Sequence, residues 1–92
     1  MSDLIGKRVL VTGASRGAGF GIARAFAAAG AEVVATSRSK AGLELLKQTI
    51  AAEGGKVALV SGDLATRAGV RTVAAKAGDV DVLVNNAAYV DG

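Results

Sequence analysis

Four short apolar runs recur along the chain, and none of them alternates with polar residues. The runs cover residues 9–11, 33–35, 57–60 and 82–84, and each contains β-branched side chains. Continuous apolar runs of this length are typical of strands that are buried on both faces, as in parallel sheets. The pattern therefore predicts four strands in the interior of an α/β fold.

The segments between these runs carry apolar residues every three to four positions, which is the spacing of one helix face. The three sets are Ile22, Ala23 and Phe26; Leu43, Leu46 and Ile50; and Val70, Val73, Ala74 and Ala77. Ser39 and Thr66 precede the second and third sets and are suitable N-caps. Right-handed crossovers convert the order β-α-β-α-β-α-β into an open parallel sheet with helices on both faces. We predict a Rossmann-type doubly wound sheet of spatial order 3-2-1-4, truncated after the fourth strand.

Composition and charge narrow the class of protein. The chain has 92 residues, of which 51% are hydrophobic and 21% charged, so one folded domain is expected over residues 1–92. Cys and His are both absent, which excludes disulfides and the usual zinc or transition-metal ligand sets. The first residues lack a basic start and a long apolar run, which favours a cytoplasmic protein that does not enter a membrane. The net charge of +3 comes from scattered Lys and Arg, so nucleic acid is not an expected partner.

The segment between the first strand and the first helix is rich in glycine. Gly13, Gly17 and Gly19 follow Gly-x-x-x-Gly-x-Gly spacing, at a point where doubly wound folds bind a pyrophosphate. The spacing differs from the Gly-x-Gly-x-x-Gly fingerprint, which needs glycine at Ile22. It also differs from a P-loop, which needs Gly-Lys at Ala18 and Gly19. Taken alone, the glycines indicate either a dinucleotide site or simply a tight strand-to-helix turn.

Four features in this order resemble the classical short-chain dehydrogenase/reductase family. They are the Leu-Ile-Gly-Lys opening at residues 4–7, the glycine loop at residues 12–19, Asp63, and the Asn85-Asn86-Ala87 run. The likeness extends over essentially the whole chain, and the one departure from the family's usual Asn-Asn-Ala-Gly is Ala88. The resemblance implies an oxidoreductase that uses a nicotinamide cofactor. Within the loop it implies cofactor binding by Gly13, Ser15, Arg16, Gly17, Ala18 and Gly19.

The choice of nicotinamide cofactor depends on the end of the second strand. NAD-specific Rossmann proteins place an acidic residue there, about 20 residues past the loop, to hold the ribose 2′-hydroxyl. In this chain the position is Ser37, and Arg38 follows it. Arg16 in the loop is a second guanidinium, and forked planar donors suit a phosphate. Taken alone, Arg38 is equally consistent with a solvated loop residue and Arg16 with a residue at a helix start. Together they predict NADP in preference to NAD, as the family resemblance also implies.

Polar residues also follow the third and fourth strands. Asp63 either accepts a hydrogen bond from an adenine amino group or forms an Asx turn ahead of Thr66. The asparagines after the fourth strand either touch a ribose or simply form a strand-ending turn. In the family, this aspartate and the backbone of the next residue contact the adenine, and the Asn-Asn-Ala run lines the cofactor. The resemblance therefore implies Asp63, Leu64, Asn86 and Ala87 as further cofactor-binding residues.

The resemblance also implies catalytic residues that the 92 residues do not contain. Family members use a Tyr-x-x-x-Lys pair, an upstream Ser, and an Asn on the helix after the fourth strand, all expected beyond Gly92. Tyr89 is the only tyrosine, and no Lys follows it. We therefore assign no catalytic residue. The 92-residue chain alone is expected to be inactive, because it lacks the acid that hydride transfer to a carbonyl requires.

Together these features predict the cofactor-binding N-terminal part of an NADP(H)-dependent oxidoreductase that acts on a carbonyl or alcohol. The alternatives are a non-catalytic NADP-binding or regulatory module and a nonfunctional truncation product. The expected partner of the complete protein is a small carbonyl or alcohol substrate. The family also implies a homo-oligomer for the complete protein, since its members commonly form dimers and tetramers. The substrate itself depends on loops that follow the fourth to sixth strands.

Overall fold

The computed structural model describes residues 4–86, which form a parallel sheet flanked by three helices. The elements in chain order are β1 (Arg8–Thr12), α1 (Gly17–Ala28), β2 (Glu32–Ser37), α2 (Lys40–Ala52), β3 (Val57–Ser61), α3 (Arg67–Ala77) and β4 (Val82–Val84). All three strand pairs are parallel, and the spatial order is β3-β2-β1-β4. The predicted fold class and strand order are therefore confirmed.

Two apolar layers cover the two faces of the sheet. On one face, α1 and α2 pack over the β1 and β2 side chains that include Val9, Val11 and Val33. On the other face, α3 contributes Val73 and Ala77, which pack against Leu10, Val34 and Val60. Burying a Val, Leu or Ile side chain contributes about 1.5–3 kcal/mol. Most of the stabilisation is therefore centred on β1 and β2, the strands that are covered on both sides.

Burial on both faces was expected for all four strands, and it is wrong for the two outer ones. Ala58 on β3 is exposed, and Leu83 on β4 is 58% exposed. On α3, Val70 is 47% exposed and Ala74 is also exposed, although the predicted apolar stripe included both. Within residues 4–86, β3 and β4 have no further strand beside them, and α3 alone covers its face of the sheet. One helix is too narrow to bury side chains across four strands.

The helix starts lie at the edge of the sheet where the strands end. The Ser39 hydroxyl accepts a hydrogen bond from the Gly42 N–H at 3.0 Å, and the Thr66 hydroxyl accepts one from the Gly69 N–H at 2.9 Å. Both predicted N-caps are therefore confirmed, and each satisfies one of the free donors of a first helical turn. Within residues 4–86, no helix is long and apolar enough to cross a bilayer.

The opposite edge of the sheet, where the strands begin, is tied together by Arg8. Its Nη1 donates to the Ala77 carbonyl at 2.7 Å, and its Nη2 forms an ion pair with Glu32. The Arg8 backbone N–H donates to Asp81 Oδ2 at 2.9 Å. One residue at the start of β1 thus joins the end of α3 to the starts of β2 and β4.

Candidate cofactor-binding site

A groove of about 890 Å³ opens at the edge where the strands end. Its size falls within the range of small-molecule sites, and this edge is where doubly wound folds bind ligands. Every loop that follows a strand contributes to its wall. The lining residues are Gly13, Ser15, Arg16, Gly17, Thr36, Ser37, Arg38, Ser39, Gly62, Asp63, Leu64, Ala65 and Asn86.

The glycine loop meets the physical demands that predicted it. Gly13 and Gly17 have φ of +62° and +60°, a region that residues with a side chain rarely adopt. A Cβ on Gly19 would lie 2.2 Å from the Gly13 carbonyl oxygen and 2.7 Å from Asn86 Nδ2. The first turn of α1 therefore packs directly on the start of the loop and beside the end of β4. Only a residue without a side chain fits there.

The first turn of α1 is electrostatically suited to an anion. It contains no acidic residue, so nothing neutralises the positive end of the helix dipole. Arg16 stands at the N-cap, but its side chain makes no capping hydrogen bond. The exposed Arg16 guanidinium is therefore not used to cap the helix.

The hydroxyl of Thr12 connects the ends of β1 and β4. Its Oγ1 accepts a hydrogen bond from the Asn86 N–H at 2.9 Å and lies 3.1 Å from Asn85 Oδ1. Thr12 is only 4% exposed, so these bonds are shielded from water. They hold Asn86 against the groove.

Ser37 ends β2, at the position where NAD-specific Rossmann folds carry a carboxylate. Ser37 Oγ donates to Ser15 Oγ at 2.7 Å and accepts from the Ser39 N–H at 3.1 Å. The end of β2 is thereby joined to the glycine loop on one side and to the start of α2 on the other. Arg16 and Arg38 directly follow Ser15 and Ser37 and are exposed at the groove. Within residues 4–86, neither arginine forms an ion pair with a carboxylate.

Asp63 forms the turn that was predicted as the alternative to adenine binding. Its Oδ1 accepts a hydrogen bond from the Ala65 N–H at 2.9 Å, and its carbonyl accepts from the Thr66 N–H at 3.2 Å. An ionised carboxylate has about four acceptor positions on two oxygens. The turn therefore leaves acceptor capacity for a ligand, and the two roles are compatible.

The structure brings most of the predicted site residues into one groove. Ala18 and Gly19 are not on its wall: Ala18 is exposed on α1, and Gly19 is buried against Gly13. Ala87 lies outside the residues that the structure describes, as do Ala88 and Tyr89. Four lining residues were missed, namely Thr36, Ser39, Gly62 and Ala65. Each adjoins a predicted residue at a strand end, so widening each predicted segment by one position would have found them.

Thr36 differs from the other groove residues because its hydroxyl is unpaired. The residue is 0% exposed, and Oγ1 has no hydrogen-bond partner among the residues described. Leaving a buried hydroxyl unpaired typically costs about 1–3 kcal/mol. It is the one polar atom of the groove floor with that penalty in the described part of the chain.

Comparison with known proteins identifies the family. The short chain dehydrogenase family profile matches residues 7–92. The ketoacyl reductase HetN from Nostoc sp. is 43% identical over 91 residues, which cover 95% of this chain and 32% of HetN. The chain therefore spans about a third of the length of this curated relative.

Two solved structures of relatives share the fold and were determined with cofactor bound. A metagenomic short-chain oxidoreductase in complex with NADP is 40% identical, with a TM-score of 0.84 over 96% of this chain and 42% of that one. The L-sorbose reductase from Gluconobacter frateurii, complexed with NADPH and L-sorbose, is 36% identical, with a TM-score of 0.87 over 97% of this chain and 36% of that one. With the family match over residues 7–92, these likenesses confirm the resemblance noted in the sequence, and the chain belongs to the short-chain dehydrogenase family.

Proposed function

We propose that the chain is the cofactor-binding part of an NADP(H)-dependent oxidoreductase that acts on a carbonyl or alcohol. The observation that carries this proposal is the arrangement at the end of β2. Ser37 stands where NAD-specific folds need a carboxylate, and it is hydrogen-bonded to Ser15 of the glycine loop. Arg16 and Arg38 flank this pair without acidic partners in residues 4–86.

The charge balance of this corner favours a phosphate over a hydroxyl. A ribose 2′-phosphate carries about −1.5 to −2 charges near neutral pH, as other phosphate monoesters do. Two guanidiniums offer permanently charged, forked donors for it. Asp63 is the only acidic residue that lines the described groove, and it follows β3 rather than β2. A bound 2′-phosphate would therefore meet Arg38 at the end of β2 and Arg16 in the adjoining glycine loop.

The remaining groove residues fit the other parts of a dinucleotide. The loop glycines and the first turn of α1, including the Ala18 N–H, would hold the pyrophosphate, while Gly19 lets the helix approach. Asp63 and the Leu64 backbone would hold the base. Asn86, with Ala87 after it, would line the path toward the nicotinamide. When bound, NADPH supplies the hydride that reduces a carbonyl.

Turnover requires more than this groove supplies. The 92 residues contain no Tyr-x-x-x-Lys pattern, so no side chain of that kind is present to exchange a proton with the substrate oxygen. We infer that these residues alone bind NADP(H) without reducing a carbonyl. The L-sorbose bound to one solved relative supports a small carbonyl compound as the substrate class. A non-catalytic NADP-binding or regulatory module is the second candidate, because the nucleotide groove is formed without those catalytic residues.

Calorimetric titration of the chain with NADP⁺, NADPH, NAD⁺ and NADH tests the cofactor assignment. We expect the phosphorylated pair to bind at least about tenfold tighter, which corresponds to about 1.4 kcal/mol. Equal affinities for the two pairs would contradict the assignment.

Absorbance assays of NADPH oxidation with a panel of ketones and ketoses test the inference that the chain alone does not reduce a carbonyl. Reduction of any panel member by the chain alone would overturn that inference.

A further inference from the structure

Glycine at position 42 allows the first turn of α2 to pack directly against the glycine loop. A Cβ at this position would lie 2.6 Å from Ser15 Cβ, 2.9 Å from the Ser15 carbonyl oxygen and 3.1 Å from Ser39 Oγ. Carbon atoms pack at about 3.5–4.0 Å, so any side chain here would displace Ser15 by about 1 Å. The close contact is to backbone as well as side chain, and a rotamer change alone does not relieve it.

Backbone conformation does not explain this glycine. Gly42 is not among the glycines with positive φ, and it lies within the first turn of α2, where glycine is one of the least favourable residues for a helix. Its N–H caps α2 through Ser39 Oγ, but any residue other than proline supplies an N–H. The property that position 42 uses is the missing side chain.

The contact bears on the anion-binding corner of the groove through Ser15. Ser15 is held by Ser37 at 2.7 Å, and the two arginines follow these serines directly in the chain. The Ser15–Ser37 bond therefore joins the two chain segments that carry the guanidiniums. That bond in turn depends on how closely the glycine loop can approach α2, which Gly42 permits.

We propose that Gly42 is a positioning residue that determines specificity for a 2′-phosphorylated nucleotide. It seats the glycine loop against α2, so that Arg16 and Arg38 reach the same phosphate, without itself touching the ligand. The inference rests on the proposed preference for NADP. It adds Gly42, which lies on α2 outside the groove wall, to the residues that determine this preference.

The experiment compares Gly42→Ala with Gly21→Ala, a matched control on α1. Gly21 is exposed, and a Cβ there would meet nothing within 4 Å. Both changes add one methyl group to a helical glycine and raise helix propensity equally. The probes are adenosine 2′,5′-bisphosphate and adenosine 5′-monophosphate, which differ only in the 2′-phosphate. Binding of each to the 92-residue chain is measured by calorimetry.

We expect Gly42→Ala to lower the preference for the bisphosphate about tenfold or more and to change monophosphate binding far less. Gly21→Ala should leave both affinities unchanged. An unchanged preference in Gly42→Ala would overturn the inference, as would an equal loss for both nucleotides, which indicates a general structural role. Failure of the proposed function is distinguishable, because the unsubstituted chain would then show no preference for the bisphosphate.

A second variant covers the case in which Gly42→Ala does not fold, as judged by its thermal melting transition. Ser15→Ala removes the bond to Ser37 without adding an atom. If the bond sets the spacing of the arginines, this variant loses bisphosphate binding selectively, again by about tenfold. If Ser15 only contacts a part that the two nucleotides share, both affinities fall together, and the inference is overturned.

Discussion

Replacing Arg38 with aspartate should reverse the cofactor preference of the groove. The residue directly follows Ser37 and is exposed at the groove wall, without an ion pair in residues 4–86. Arg38→Asp removes a cation from the proposed 2′-phosphate position. It also introduces the carboxylate that NAD-specific folds use at this place to hold the ribose 2′-hydroxyl.

The magnitude follows from the exposure of the site. At about 4 Å in water, a pair of unit charges interacts by about 1 kcal/mol. The substitution changes the local charge by two units against a phosphate of about −1.5 to −2, so NADP⁺ should lose about 3 kcal/mol. NAD⁺ should gain about 1.5 kcal/mol from a hydrogen bond to the new carboxylate. The preference should therefore shift by roughly 4.5 kcal/mol, on the order of a thousandfold or more.

Calorimetric titration of both dinucleotides into the chain measures this shift. Lys47→Asp is the matched control, since it makes the same charge change on the exposed surface of α2, seven residues beyond Lys40 and about 10 Å along the helix. At that distance an exposed charge is largely screened at physiological ionic strength. The control should therefore retain the preference for NADP⁺.

Two results would refute the reasoning about Arg38. One is a variant that still prefers NADP⁺, which would show that the 2′-phosphate binds elsewhere. The other is a preference that falls equally in Lys47→Asp, which would assign the effect to net charge. Salt provides an independent check, because the preference of the unsubstituted chain should decrease as ionic strength rises.

Three further changes test other parts of the structure. Gly19→Ala places a Cβ 2.2 Å from the Gly13 carbonyl oxygen, so nucleotide affinity should fall at least about tenfold as the loop moves; titration measures this, and unchanged binding would contradict the close packing. Thr36→Val removes the unpaired buried hydroxyl and should raise the free energy of unfolding by about 1 kcal/mol in denaturant titrations; a loss would mean that the hydroxyl has a partner. The hydrogen bond from Arg24 lowers the pKa of Glu53, so the pair stabilises the fold above the ordinary glutamate pKa, and this contribution is lost as pH falls through the lowered value. Glu53→Gln should remove only that small component of acid sensitivity, measured by unfolding at several pH values, because the pair is exposed.

The elements and their order were predictable because each depends on local periodicity. The run at residues 33–35 became β2, and Leu43, Leu46 and Ile50 are all buried on α2. Burial at the edges was not predictable in the same way. Ala58 and Val70 carry the same apolar signal as their buried neighbours, and their exposure depends on which strands and helices lie beside them. Neighbours of this kind are a property of the assembled sheet.

The candidate site was predictable where a residue type has a specific physical role. Gly13 and Gly17 adopt the positive φ that only glycine readily accepts, and Ser37 marks the missing carboxylate. Contacts between distant segments left no comparable signal. Nothing in the local sequence indicates that Gly42 meets Ser15, or that the Ser15 and Ser37 hydroxyls bond to each other. These contacts join segments more than 20 residues apart, and only the packing of α2 against the loop brings them together.

The bonds of Arg8 lie at the edge of the sheet opposite the groove, so amino-acid replacements at the two edges have different consequences. At the starting edge, one guanidinium serves the end of α3 and Glu32, while the Arg8 backbone holds Asp81. None of these four residues lines the groove at the other edge. Side chains at the groove can therefore change, and with them ligand preference, without disturbing the contacts of Arg8. The Arg8 contacts, which join three elements at the starting edge, are thus spatially separate from the groove residues on which selection for a new ligand would act.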